Sequence, residues 1–388
     1  MYLRTLQHEL LKLSANWSVI SITGPRQSGK TTLCKIAFPN YSYVNLEHIP
    51  TRSEVAKDPA AFLDLHRNGV VIDEAQLLPE LFSYVQIAVD NDKSRRIVLS
   101  GSSDFLLMKN ITQSLAGRVA VLRLLPLSIN ELGITDNYST DELMFKGFLP
   151  AIWGDGRNAE FVHESYLSTY VERDLRQLTK VKDLELFRKF MTLCAVRIGS
   201  EFNAMSLSNE LGVSVLTIKS WIGLLEASYV CYELPPFFKN IGKRLVKTPK
   251  IYFYDVGLAC HLLGIQSAQQ LATHPLRGSL FENMVVSEML KWRFNNGQRS
   301  NLSFYRDKGQ HEVDIIQEFG NELRAYEIKS ATMLTSDFYR NLKYIKKLLG
   351  DSILSTQVIY DGKDEWNKPE EGYINYRNWK EDNPYAVT

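Results

Sequence analysis

Apolar residues change their period several times along this chain, and each change marks an element. Leu3, Leu6, Leu10 and Leu13 recur at helical spacing and predict an amphipathic helix over 2–13. Residues 17–22 have the apolar bias of a short strand, and residues 32–37 open a helix. A second strand is expected over 41–47. Asp58 followed by Pro59 has the form of a helix start, an N-cap acid with proline at the first helical position. Val70-Val71-Ile72 is a continuous apolar run, as suits a parallel strand covered on both faces. Residues 95–99 form another strand that runs into a Ser/Gly turn, and residues 120–124 form one more.

The second half follows different periods. Residues 159–178 are rich in helix formers, with an apolar face over 166–175; the adjacent Arg173-Asp174 there reads as a solvated charge pair or an interdomain contact. A short helix ends at Gly212, and Ser214 caps a second one with Val215, Ile218, Ile222 and Leu225 facing inward. Two strands, 229–234 and 250–254, flank a basic turn, so the pattern predicts a winged helix. A helix over 278–290 precedes strands at 302–306, 312–317 and 323–330, with Phe319-Gly320-Asn321 as the turn between the last two. A helix over 337–349 and a strand over 356–360 complete an α/β core. The expected fold class is α/β: a first domain with a parallel sheet, a winged helix, then a second α/β domain. The expected boundaries are 1–134, 135–274 and 275–388.

Composition narrows the classes. The 388 residues carry 45 Lys and Arg against 44 Asp and Glu, so overall charge gives no general attraction to nucleic acid; that would need a local patch. Cys34, Cys194, Cys231 and Cys260 are scattered without a C-x-x-C pair. The pattern argues against a metal ribbon or disulfide framework and fits a reducing cytoplasm. The longest apolar runs are too short to cross a bilayer, and the first residues lack the features of a secretion signal. The expectation is a cytoplasmic protein with no membrane partner.

Chemistry concentrates in one stretch. Gly24-Pro25-Arg26-Gln27-Ser28-Gly29-Lys30-Thr31 matches G-x-x-x-x-G-K-[ST] and lies between the first strand and a helix. Such a loop aims backbone N–H groups at phosphate oxygens, with a positive helix end behind them; Thr32 continues into the helix. Lys30 would neutralise the β- and γ-phosphates of ATP, and the Thr31 hydroxyl would ligate Mg²⁺. Asp73 and Glu74 follow the buried run; Asp73 would complete the Mg²⁺ site and Glu74 would act as general base on the attacking water. Among Ser100 to Ser103 a hydroxyl of Ser100 or Ser102 could touch the γ-phosphate or position water; the sequence does not choose between them, and Ser102 is the site candidate. Arg118, after Gly117, is a candidate to stabilise transferring phosphoryl charge, in its own subunit or across a boundary.

With these residues in view, residues 24–31, 70–74, 99–103 and 116–118 together resemble the AAA-type ATPase module of a large prokaryotic family. Its members couple that module to a winged helix and a C-terminal domain of unknown function, and the resemblance covers nearly the whole chain. The C-terminal set Asp314, then Glu327-Ile328-Lys329, with Glu282 on the preceding helix, resembles the metal site of restriction-endonuclease-like (PD-(D/E)xK) proteins. That resemblance implies Glu282, Asp314 and Glu327 as metal ligands and Lys329 as the residue that orients water. No proline precedes Asp314; His311-Glu312-Val313 stands there.

The helix over 214–226 has Lys219 as its one cation, so the basic turn with Lys239, Lys243, Arg244 and Lys247 is the better nucleic-acid candidate. The reading is a Mg²⁺-dependent ATPase that gates or drives a DNA- or protein-binding C-terminal region. An ATP-gated, metal-dependent DNA nuclease and a non-catalytic nucleotide switch are the alternatives. ATP is the expected ligand; DNA, a protein partner at the winged helix and self-association stay open.

Overall fold

The computed structural model describes residues 2–102, 107, 110–111, 113–133, 135–171, 183–237, 248–367 and 371–381. Five strands form the first sheet: β1 (Val19–Thr23), β2 (Ser42–Asn45), β3 (Val70–Asp73), β4 (Ile97–Gly101) and β5 (Val119–Arg123). They run in the order β2-β3-β4-β1-β5, and every pairing is parallel. All five residues of β1 and all four of β3 are buried, as expected for central strands covered by helices on both faces. Because the strands are parallel, every loop that follows one opens at the same edge of the sheet. That edge collects the ends of β1, β3 and β4.

The first helix runs Leu6–Asn16, later than the leucine spacing predicts, and Leu3 is 81 % exposed. Leu6 and Leu10 are buried against the sheet, while Arg4, ahead of the helix, is the buried residue of the N-terminal segment. Asp58 caps the helix Pro59–Leu65 through the N–H of Ala61, as its sequence indicates.

The middle of the chain contains the helix pair Ala204–Leu211 and Val215–Ala227. Gly212 stands at φ +68° between them, and the Ser214 hydroxyl accepts from the N–H of Thr217. Trp221 joins Ile218, Ile222 and Leu225 on the buried face. Strands β6 (Cys231–Leu234) and β7 (Lys250–Phe253) pair antiparallel. The helix Ala159–Ser165 widens into π turns over Tyr166–Val171. Arg173-Asp174 and the basic turn, with Lys239, Lys243, Arg244 and Lys247, lie outside the described residues.

The C-terminal part carries a second sheet of six strands: β8 (Leu302–Arg306), β9 (Glu312–Phe319), β10 (Glu322–Lys329), β11 (Ile353–Tyr360), β12 (Trp366–Asn367) and β13 (Glu371–Asn375). Their order is β12-β13-β11-β10-β9-β8, and the sheet is mixed: β8, β9 and β10 meander antiparallel, then β10 pairs parallel with β11. The 19-residue helix Arg277–Asn295 packs on one face, and Arg340–Leu349 packs on the other. One apolar core runs continuously through the middle and C-terminal parts, joining Ile251, Tyr252 and Phe253 to Leu280, Phe281 and Ile315. No helix among the described residues is long and apolar enough to cross a membrane.

Candidate functional site

Residues 24–29 connect β1 to the helix Lys30–Ala37, and two glycines make the connection possible. Gly24 holds φ +149°, and a Cβ there would stand 2.1 Å from the carbonyl oxygen of Leu124. Gly29 holds φ +93°, in the left-handed region that admits glycine at little cost. A cavity of about 760 Å³ opens over the loop, lined by Arg26, Gln27, Ser28, Lys30, Thr31 and Thr32. Glu74 also reaches it, and Tyr2, Ala151 and Arg157 close its far wall.

Lys30 is 6 % exposed, and its ammonium donates to the carbonyls of Gly24 at 2.8 Å and Pro25 at 2.7 Å. The loop thus satisfies its own lysine. Burial lowers the Lys30 pKa to about 8, against the opposing pull of Glu74 and Asp73. Thr31 Oγ1 donates to Asp73 Oδ2 at 2.7 Å, and Tyr43 donates to the same oxygen at 2.6 Å. Ser100 donates to the other oxygen, Oδ1, at 2.5 Å. Burial alone would raise the Asp73 pKa; the hydroxyls of Ser100, Tyr43 and Thr31 and the charge of Lys30 outweigh it and hold the carboxyl below its ordinary value. Burial and the contact with Asp73 push the Tyr43 phenol up, which keeps it a donor.

Glu74 sits at φ +55° and ψ +41°, a left-handed conformation unusual for a residue with a side chain. It precedes a short 3₁₀ turn, yet its carboxylate does not cap that turn. The carboxylate accepts from Gln76 Nε2 at 2.5 Å and from Ser102 Oγ at 3.1 Å. Two serines at the end of β4 therefore divide the acids between them, Ser100 within the strand on Asp73 and Ser102 just after it on Glu74. Thr31 and Asp73 are hard oxygen donors in mutual contact, a donor set that suits Mg²⁺.

Arg118 is placed elsewhere. It precedes β5, whose first residue Val119 aligns with Val19, the start of β1, while the phosphate loop leaves the other end. Its guanidinium binds both carboxylate oxygens of Asp90, at 2.8 and 2.9 Å. The length of the strand separates it from its own phosphate loop.

The C-terminal residues meet, but not as a cage. Among the described residues no three His, Cys, Asp or Glu side chains group as a metal site requires. Lys329 lies 2.8 Å from Glu327 Oε1 and 3.5 Å from Asp314 Oδ2. Glu282 is held by Lys250 and by the Tyr252 hydroxyl. Burial raises both Glu282 and Glu327, the latter to about 8, and neighbouring Asp314 adds to each. In place of a closed metal cage, the three carboxylates are engaged in ion pairs and hydrogen bonds, each through one oxygen: Glu282 Oε1, Asp314 Oδ2 and Glu327 Oε1.

Sequence reasoning missed Tyr43, Gln76 and Arg4. Arg4 donates to the carbonyls of Ser28 at 2.6 Å and Leu125 at 2.7 Å and pairs with Glu131 at 3.2 Å. No motif marks these residues; parallel pairing of β2 with β3 brings Tyr43 to Asp73, and chain packing brings Arg4 to the loop.

Residues 16–133 match the family model described as an AAA domain. Residues 137–269 and 277–378 match two models described as domains of unknown function, DUF8612 and DUF4143. The N-terminal part is thus an AAA-like P-loop module, followed by a C-terminal mixed-sheet domain. An uncharacterized protein of Mycobacterium tuberculosis, Rv2008c, is 29 % identical over 349 residues, covering 89 % of this chain and 77 % of its own. An uncharacterized protein of Haemophilus influenzae is 24 % identical over 383 residues, covering 88 % and 90 %. Among solved structures, the Walker-type ATPase PABY2304 of Pyrococcus abyssi aligns over 66 % of this chain and 94 % of that one, at 15 % identity and a TM-score of 0.45.

Proposed function

We propose that the protein hydrolyses ATP and uses the nucleotide cycle to alter the set of its middle and C-terminal parts. The observation that carries the reading is the joint placement of Lys30, Thr31 and Glu74 in the wall of one cavity, with Asp73 behind them bonded to Thr31. In this reading, residues 24–32 cradle the phosphates, with backbone N–H groups of the loop as donors. Lys30 exchanges its carbonyl partners for phosphate oxygens. Thr31 and Asp73 would hold Mg²⁺, which supplies charge neutralisation on the phosphates when bound. Glu74 orients and deprotonates the attacking water, and Ser102 and Gln76 fix its carboxylate in place for that task.

Two contacts support the link to the rest of the chain. Tyr229 touches Thr23, the last residue of β1, and Arg4 ties the carbonyl of Ser28 to Leu125 and Glu131. Beyond Glu131 the helix Arg277–Asn295 takes over: Lys291 donates to the carbonyl of Leu127 at 2.9 Å, and Glu288 accepts from the N–H of Ile129 at 2.7 Å. A change at the loop therefore meets a continuous set of polar contacts that reaches the C-terminal part. The test is phosphate release by the full chain with ATP and Mg²⁺, beside Lys30→Ala. Turnover that is lost in the variant supports the reading; turnover that survives, or a wild-type protein that neither binds nor hydrolyses ATP, sinks it.

A further inference from the structure

Lys250 is the first residue of β7, in the middle of the chain, and it is 2 % exposed. Its ammonium lies 3.1 Å from Glu282 on the C-terminal helix and 2.6 Å from Glu312 on β9. The Tyr252 hydroxyl donates to the same Glu282 oxygen at 2.5 Å. Next to them, Lys329 bridges Glu327 and Asp314, and Asp314 also accepts from the N–H of Ile328 at 2.8 Å. Arg306 closes the rim, pairing with Glu201 at 2.9 Å and Glu312 at 3.5 Å.

A divalent cation needs carboxylate lone pairs that converge on one point. Among the described residues no three such side chains group that way, and one oxygen of each carboxylate is already engaged: Lys250 and Tyr252 meet Glu282 at Oε1, Lys329 and the Ile328 amide meet Asp314 at Oδ2, and Lys329 meets Glu327 at Oε1. Of the remaining oxygens, Glu327 Oε2 is buried without a partner. Nor is Lys250 free to swing away. Beyond β6 the chain is stitched to the edge strand β8: Phe237 N–H donates to Phe304 at 2.7 Å, and Phe304 N–H donates to Pro235 at 3.1 Å. Ile251, Tyr252 and Phe253 share the apolar core with Leu280 and Phe281. Removing Lys250 from the acids would open that core.

We propose that this buried cluster is an interdomain clasp, in which Lys250 supplies the positive charge a divalent cation would supply and holds β7 to the C-terminal helix and sheet without metal. The pairing is costly to break on one side only, since a lone buried charge is left behind. Replacing both partners by neutral groups leaves no such charge.

The experiment is thermal unfolding of the nucleotide-free full chain, with EDTA or with millimolar Mn²⁺, for wild type, Lys250→Met and the double variant Lys250→Met/Glu282→Gln. All three carry the same phosphate loop, so any metal effect there cancels. The wild type is expected to melt at one temperature in EDTA and Mn²⁺. Lys250→Met is expected to melt several degrees lower, to regain part of the loss with Mn²⁺, and to be less stable than the double variant. A wild-type Tm that Mn²⁺ raises as much as it raises that of Lys250→Met overturns the proposal. So does a folded Lys250→Met protein that melts like wild type or ignores Mn²⁺. Should Lys250→Met fail to fold, Mn²⁺ paramagnetic resonance on the wild type decides: tightly bound Mn²⁺ lost in Asp314→Asn rejects the clasp, and its absence supports it. None of these readouts depends on ATP turnover.

Discussion

The hydroxyls of Thr23 and Tyr229 meet at 2.6 Å in a buried setting, although 206 positions separate them in the chain. Thr23 ends β1 immediately before the phosphate loop, and Tyr229 lies in the connection from the helix Val215–Ala227 to β6. Tyr229 holds φ +57°, a conformation that costs a non-glycine residue on the order of 1–3 kcal/mol and persists only where surrounding contacts enforce it. Its ring packs against Tyr254 at 5.4 Å between centroids, so the same side chain touches the loop strand and the β6–β7 hairpin.

Tyr229→Phe is therefore expected to lower stability by about 1–3 kcal/mol, the cost of depriving a buried hydroxyl of its partner. Chemical denaturation measures this. The variant is also expected to weaken the ATP-dependent change in hydrogen exchange over β6 and β7. An unchanged ATP effect in the variant would take this contact out of the coupling.

Glu74→Gln keeps the loop, Lys30 and the Thr31–Asp73 contact, so ATP affinity is expected to stay within a few fold of wild type. Turnover is expected to fall by about 10²–10⁴-fold, the usual scale of a lost general base. Equilibrium binding and phosphate release on the same preparation separate the two. Normal turnover by this variant would remove Glu74 from the mechanism.

Lys30 gives the binding reaction a pH signature. Its pKa of about 8 in the protein alone leaves the ammonium mostly charged at pH 7 and mostly neutral near pH 9. Phosphates beside it favour the charged form and raise that pKa. Binding should then take up little proton at pH 7 and close to one proton near pH 9. Calorimetry in buffers of different ionisation heat reads the uptake directly. Lys30→Arg, charged throughout, should show none of it if it binds; equal uptake at both pH values in the wild type would contradict the assignment. The same shift adds stability as pH rises from about 8 toward the unfolded value near 10.4, since the unfolded chain holds the proton that the folded one has released.

Arg118→Ala is expected to leave stability almost unchanged, because its pair with Asp90 lies in solvent. Turnover by the isolated subunit should stay within about twofold of wild type. A tenfold loss at dilution, where subunits are separate, would show that the arginine acts on its own nucleotide after all. A loss seen only at high protein concentration would place it at a neighbour's site.

The sequence by itself determined the local pieces of this protein. Glycines at 24 and 29, the strand before them and the helix after them are neighbours in the chain, and their backbone demands are local. The same holds for the Asp58 and Ser214 caps, the turn at Gly320 and the run Val70–Asp73, each legible from period and turn chemistry over a few residues. Tertiary structure decided what those pieces touch. Tyr43 on Asp73, Arg4 on Ser28 and Lys250 on Glu282 each join a residue that carries no motif to one that does, 24 to 32 positions away. It also sent Arg118 to the far end of the sheet and turned the C-terminal acids toward ammonium groups. The reason is physical: hydrogen-bond geometry along a strand or loop is set by adjacent residues, whereas the partner of a buried charge is set by which surfaces the apolar core brings together.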